Sequence, residues 1–200
     1  MSDNSIIPIT EEQAKAAQEA LKALRGFGDF LRETFGRTPQ DLVGLLGGDW
    51  LKVRRAENIA RIVQKSRDRL KARGVDGAEP ASLSVTLPIL VAAADESREE
   101  LQDIWARLLA AAADPSRART FRIAFIEAAK MMDPLDAAVL PAVRSLRGGT
   151  GEERANTLAD DLRASRDEID VSISHLHELG MLRDNAVVAF GREFLRAVSD

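Results

Sequence analysis

The chain has 200 residues, 45% of them apolar and 30% charged, with 28 Lys and Arg against 32 Asp and Glu for a formal charge of −4. A pI near 5.4 excludes a broadly basic nucleic-acid-binding surface. The absence of cysteine excludes disulfides and thiolate chemistry and suits a cytoplasmic protein.

Tyr is missing and aromatics make up only 4%, which favours helices over strands. Residues 1–9 read as a frayed end, without the basic start and apolar run of a signal peptide. Thr10 to Gln13 is a capping box. It opens a helix to Thr34, with Ala17, Leu21, Leu24, Gly28 and Leu31 at helical spacing. Thr38-Pro39 starts a short apolar helix that Gly47-Gly48 stops.

Asp49 to Arg73 reads as one long helix. Between Lys52 and Arg73 nine basic residues face only Glu57 and Asp68, a net +7 that leaves −11 on the rest of the chain. Leu51, Ala56, Ile59, Ala60, Ile62, Val63 and Leu70 cover one broad side of the wheel. Arg54, Arg61 and Lys65 fall on the opposite side, at offsets of seven and four. Three readings of that stripe stay open. It is a solvated face paired to neighbouring acidic helices, a site for an anionic nucleic acid or peripheral membrane surface, or a contact for an acidic protein, including a second protomer.

Ser82 opens a helix kinked or begun late because of Pro88, and Ser97 to Glu100 is a second capping box. The helix it starts carries Leu101, Ile104, Trp105, Leu108, Leu109 and Ala112 in a nearly complete apolar stripe, as expected of a central core helix. Asp114-Pro115 ends it, and Thr120 to Met132 forms one more amphipathic helix. No apolar run approaches the ~18 residues of a membrane span.

After Met132 the pattern changes. Asp133-Pro134 starts a helix that Pro141 should bend. Thr150 to Glu153 and Ser165 to Glu168 are capping boxes for two more helices. Met181 to Ala189 reads as a short hairpin, and Phe190 to Val198 as a last helix. Three helices and a hairpin in this order make a winged helix-turn-helix pattern. The expected fold is therefore all-α, a multi-helix bundle over 10–132 followed by a small winged-helix-like module over 133–200.

Three blocks carry a family resemblance: GGDWLKVRRAENIARIVQKSRDRLKARG with its Arg55-x-x-Asn58 element, LPILVAAADESREELQDIWARLLAAAADP, and MDPLDAAVLPAV. Together they resemble the abortive infection alpha family over Gly26 to Leu146, and more weakly beyond. One departure is Val188-Ala189-Phe190-Gly191, where a Thr-x-x-Gly-type ending is expected. The resemblance implies an all-helical bacterial protein tied to phage resistance, with no catalytic residues to carry over.

The remaining residues point the same way. The helix in the recognition position, Ser165 to Gly180, sets Arg166 against Asp167, Glu168, Asp170 and Glu178. At −3 it would be repelled by DNA phosphates. His175 and His177, two apart, point about 200° away from each other on a helix and cannot chelate one metal there. Glu99, Glu100 and Asp103 read as dipole-complementing groups, and neither glycine pair has phosphate-loop spacing. No catalytic residue, cofactor or metal site is expected. The reading is a non-enzymatic, defence-associated protein acting through macromolecular contacts and self-assembly, with Arg54, Arg61 and Lys65 as its contact stripe. The alternative is a winged-helix DNA-binding regulator.

Overall fold

The computed structural model describes residues 49–75, 82–146 and 148–199. The helices expected between Thr10 and Leu46, with their capping box, lie outside the described residues. The described residues are all-α apart from one small hairpin.

The first described helix, α1 (Asp49–Ala72), is 24 residues long, about 36 Å at 1.5 Å per residue. Ala56, Ile59, Ile62, Val63 and Leu70 are buried, so the apolar side read from its periodicity is its core face. It packs on α2 (Leu83–Ala94) and α3 (Glu99–Ala113). Pro88 lies within α2 without ending it.

At the centre is α3, where Leu101, Ile104 and Trp105 are buried along with five consecutive positions, Leu108 to Ala112. A helix covered on nearly all sides must be apolar nearly all round. Its start differs from the expected box at Ser97. Arg98 holds the N-cap position, and its backbone N–H donates to Glu96 Oε1 at 2.9 Å. The Glu96 carboxylate also takes the Arg98 guanidinium on both oxygens, at 2.9 and 3.0 Å. The Glu96 carboxylate thus clasps both the backbone and the side chain of the residue that begins the helix.

A short turn, α4 (Pro115–Ala118), leads to α5 (Ile123–Met131). Then follow α6 (Pro134–Ser145), which continues through Pro141, α7 (Gly151–Leu162) and α8 (Arg166–Glu178). Both capping boxes read from sequence form. Thr150 Oγ1 accepts from the Glu153 N–H at 3.2 Å while Glu153 accepts from the Thr150 N–H at 2.7 Å. Ser165 and Glu168 repeat the pair at 3.2 and 2.7 Å.

The hairpin joins β1 (Leu182–Arg183) to β2 (Ala186–Val187) with Leu182 opposite Val187. Asp184 and Asn185 both take positive φ, 48° and 56°, the conformation of a two-residue turn matched to strand twist. The chain closes with α9 (Ala189–Ala197). Gly191 sits where a Cβ would fall 2.4 Å from the Met181 carbonyl oxygen and 2.9 Å from Val187 Cγ1. Only glycine lets α9 approach the hairpin so closely.

One continuous core runs from Ala56 to Val198. Phe125 of α5 stacks at tilted or edge-on angles with Phe121, Phe190 and Phe194, with ring centroids 5.9, 5.6 and 5.8 Å away. The segments before and after Met132 therefore share an aromatic cluster. Among the described residues, no helix is long and apolar enough to cross a membrane.

Candidate functional site

The cations of α1 divide into an inner and an outer set. Arg55 donates from Nε and Nη2 to the two oxygens of Asp95, at 2.6 and 2.8 Å. One turn on, Asn58 donates to the Ala94 carbonyl at 2.9 Å. Gln102, itself buried, donates to Asn58 Oδ1 at 3.3 Å and to the Glu96 carbonyl at 2.8 Å. The Arg-x-x-Asn element thus grips the C-terminal end of α2, satisfying carbonyl and charge at a helix terminus. Further along, Asp103 of α3 receives Arg69 and, at 2.9 Å, Arg107. Arg73 lies 3.8 Å from Asp114. Much of the +7 is met by carboxylates of the α2–α3 region.

Of the stripe Arg54, Arg61 and Lys65, two residues face outward. Arg54 and Arg61 are exposed, and Arg61 donates to the neutral Gln102 side chain at 3.3 Å. Lys65 turns toward α3, 3.5 Å from Glu99 and 3.9 Å from Asp103.

A second polar construction joins α6 to α8. Pro134 occupies the first turn of α6, where its missing donor costs nothing. Asp136, two residues on, is 1% exposed. Its Oδ2 accepts from the Asp133 N–H at 2.8 Å. Ser172 Oγ donates to Oδ1 at 2.6 Å, and His175 Nδ1 lies 2.8 Å from Oδ2. Ser172 and His175, three apart on α8, share one face. The pairing assigns the Nδ1–H tautomer, or the doubly protonated ring, to His175. His177 is exposed on another side.

Asp133, Asp136 and His175 each offer a ligand atom within 4.8 Å of the others. The donor set, however, is already engaged. Asp136 accepts from three protein groups, and Arg98 Nη1 sits 3.2 Å from Asp133 Oδ1. A cation there would have to displace a proton from His175 and share Asp133 with a guanidinium. The trio acts as a clamp between α6 and α8.

Above the clamp lies a groove of about 760 Å³, lined by residues that include Leu135, Asp167, Asp170, Val171, His175 and Glu178. Val171, one of these, is 69% exposed. Asp170 pairs with Arg166 at 2.9 Å. Acidic walls around an apolar spot suit a basic, partly apolar surface and repel phosphate.

The abortive infection alpha family model matches residues 54–190 of the chain. This protein belongs to the abortive infection alpha family. No curated protein and no solved structure matches it. The abortive infection alpha region begins at Arg54 and ends at Phe190, so it takes in the α1–α2 lock, the clamp and the groove. It reaches well past Leu146, where the clear resemblance in the sequence blocks ends.

Sequence reasoning identified the Arg55-x-x-Asn58 element but not its role, and it passed over Asp136 altogether. A usable signal was present for the clamp. Ser172 and His175 share a helix face with the buried Ile169 and Leu176, and polar groups on a core-facing side require a polar partner.

Proposed function

We propose that this abortive infection alpha protein is a cytoplasmic, non-enzymatic phage-defence factor that works through macromolecular contacts, with 133–200 serving as a winged-helix-like protein-contact module. The observation carrying this reading is the charge of α8, the helix that would enter a DNA groove in such a module. Asp167, Asp170, Val171 and Glu178 are all exposed on it, a surface suited to protein and opposed to phosphate. The outward cations of α1 offer a second contact face. The test is plating efficiency of phage on cells expressing wild type or the R54E/R61E protein, which leaves the inward Lys65 in place. Lost protection with unchanged protein level and fold supports the reading, and full protection removes α1 from it.

A DNA-binding regulator is the second reading, favoured by one observation. Arg183, Arg192 and Arg196 are all exposed, and Arg192 donates to the Val187 carbonyl at 2.7 Å, beside the hairpin. A gel-shift series against salt decides it, because phosphate-led binding weakens steeply as salt rises. Absence of any shift at low salt leaves the regulator without support.

A further inference from the structure

We propose that the outward stripe of α8 (Asp167, Val171, Ser174 and Glu178) docks the outer face of α1, at Arg54 and Arg61, of a second copy of this chain. The inference rests on the contact-mediated reading above and names its partner.

The stripe has the form of a helix-contact face. Its offsets of four, seven and eleven residues keep all four side chains on one side of α8. Val171 stands 69% exposed between two acidic ends. Asp167 and Glu178 are about 16 Å apart along the axis. Both are exposed, and neither has a charged partner among the described residues. The carboxylates closer in are engaged, Asp136 by Ser172 and His175 and Asp170 by Arg166.

The complementary face is on the same chain. The inner cations of α1 meet carboxylates of the α2–α3 region, as at Arg55 with Asp95. Arg54 has no charged partner among the described residues, and Arg61 has only the neutral Gln102. Seven residues separate them, two turns or about 10 Å. Lys71, also exposed, extends the positive surface toward the helix end.

The two faces sit on elements with different neighbours. α1 packs on α2 and α3, whereas α8 packs on α6, α7 and β1. Like faces repel, so a two-fold pairing of α8 with α8 or α1 with α1 is disfavoured. Opposite faces attract, and with one α1–α8 contact per pair the assembly is head-to-tail. Such a contact repeats until it closes into a ring or grows as a filament. Pairs at an exposed rim are weak and salt-screened, so association should need concentration and low ionic strength.

The experiment is sedimentation velocity of the full chain across concentration, at 50 mM and 500 mM NaCl. At low salt the mass should rise above 21.8 kDa with concentration, and at high salt it should return to monomer. R54E/R61E and D167K/E178K should each stay monomeric alone, with unchanged circular dichroism. Mixed, they should associate again and alternate, because α8 of the first meets α1 of the second and the two reversed faces meet in the same way. The four substitutions on one chain should restore open-ended growth. A wild type that is monomeric at all concentrations, association that survives both variants, or a mixture that stays monomeric each overturns the proposal. A monomeric wild type that still protects cells overturns this inference while leaving the defence reading in place.

Discussion

At the scale of single residues, the most consequential group is Asp136. A carboxylate 1% exposed is tolerable only because three donors meet it. Asp136→Ala orphans the Ser172 hydroxyl, the His175 ring and the Asp133 amide together. It should lower unfolding free energy by about 2–4 kcal/mol in urea titration, while Ser172→Ala should cost about 1 kcal/mol. Equal effects of the two substitutions would contradict the clamp. Gly191 is the backbone counterpart. Gly191→Ala forces a methyl against the Met181 carbonyl and should destabilise by about 1–3 kcal/mol, read as a lower melting temperature. Neither position stood out in the sequence. Asp136 resembles any acidic residue in a first turn, and Gly191 resembles any glycine in a helix. What makes them matter is a neighbour 36 residues away in one case and a carbonyl of the preceding hairpin in the other.

At the scale of elements, local signals were reliable where the competing partner was also local. The boxes at Thr150 and Ser165 form because the hydroxyl and carboxylate meet within one turn. The box at Ser97 does not form, because the helix begins one residue later, with Arg98 at the N-cap and its backbone N–H on Glu96. These contacts set an acid limit on stability. Hydrogen bonds from the Thr150 backbone and side chain hold the Glu153 carboxyl below its ordinary 4.5, and Ser165 does the same for Glu168. Burial pushes Asp114 up from 3.8, but the hydroxyl and amide of Ser116, with Arg117 and Arg73, bring it below. A carboxyl whose pKa falls on folding releases its proton more readily in the fold. Its contribution is complete above the unfolded value and lost as pH drops through the folded one. Stability should therefore be level above about pH 5.5 and fall below about pH 4.5. The E153Q/E168Q protein keeps both boxes without those titrations. Its stability should fall less steeply between pH 5 and 3, and a slope equal to wild type would contradict this account.

At the scale of the whole molecule, the sequence foretold the helical class, the central helix from Leu101 to Ala112 and the hairpin. Apolar periodicity records each of these directly. It could not foretell which charges of α1 face inward, because a helical wheel shows direction but not the carboxylates of another helix. The wheel sets Lys65 beside Arg54 and Arg61, yet its ammonium turns to Glu99 and Asp103. The Phe121, Phe125, Phe190 and Phe194 cluster joins segments that composition divides at Met132. Phe125→Ala should cost about 3–5 kcal/mol. Unfolding followed by fluorescence and by circular dichroism should still show one coincident transition. Two separated transitions in the wild type would mean that the shared core does not couple the segments.

Contact, as opposed to chemistry at the groove, is the central claim, and phage plating efficiency with matched variants tests it most directly. Cells expressing wild type or His175→Gln should be protected, because Gln retains a donor toward Asp136 and no proton transfer is required. Cells expressing folded D167K/E178K should lose protection. Protection that disappears with His175→Gln and survives D167K/E178K would contradict the account and make the groove a place of chemistry.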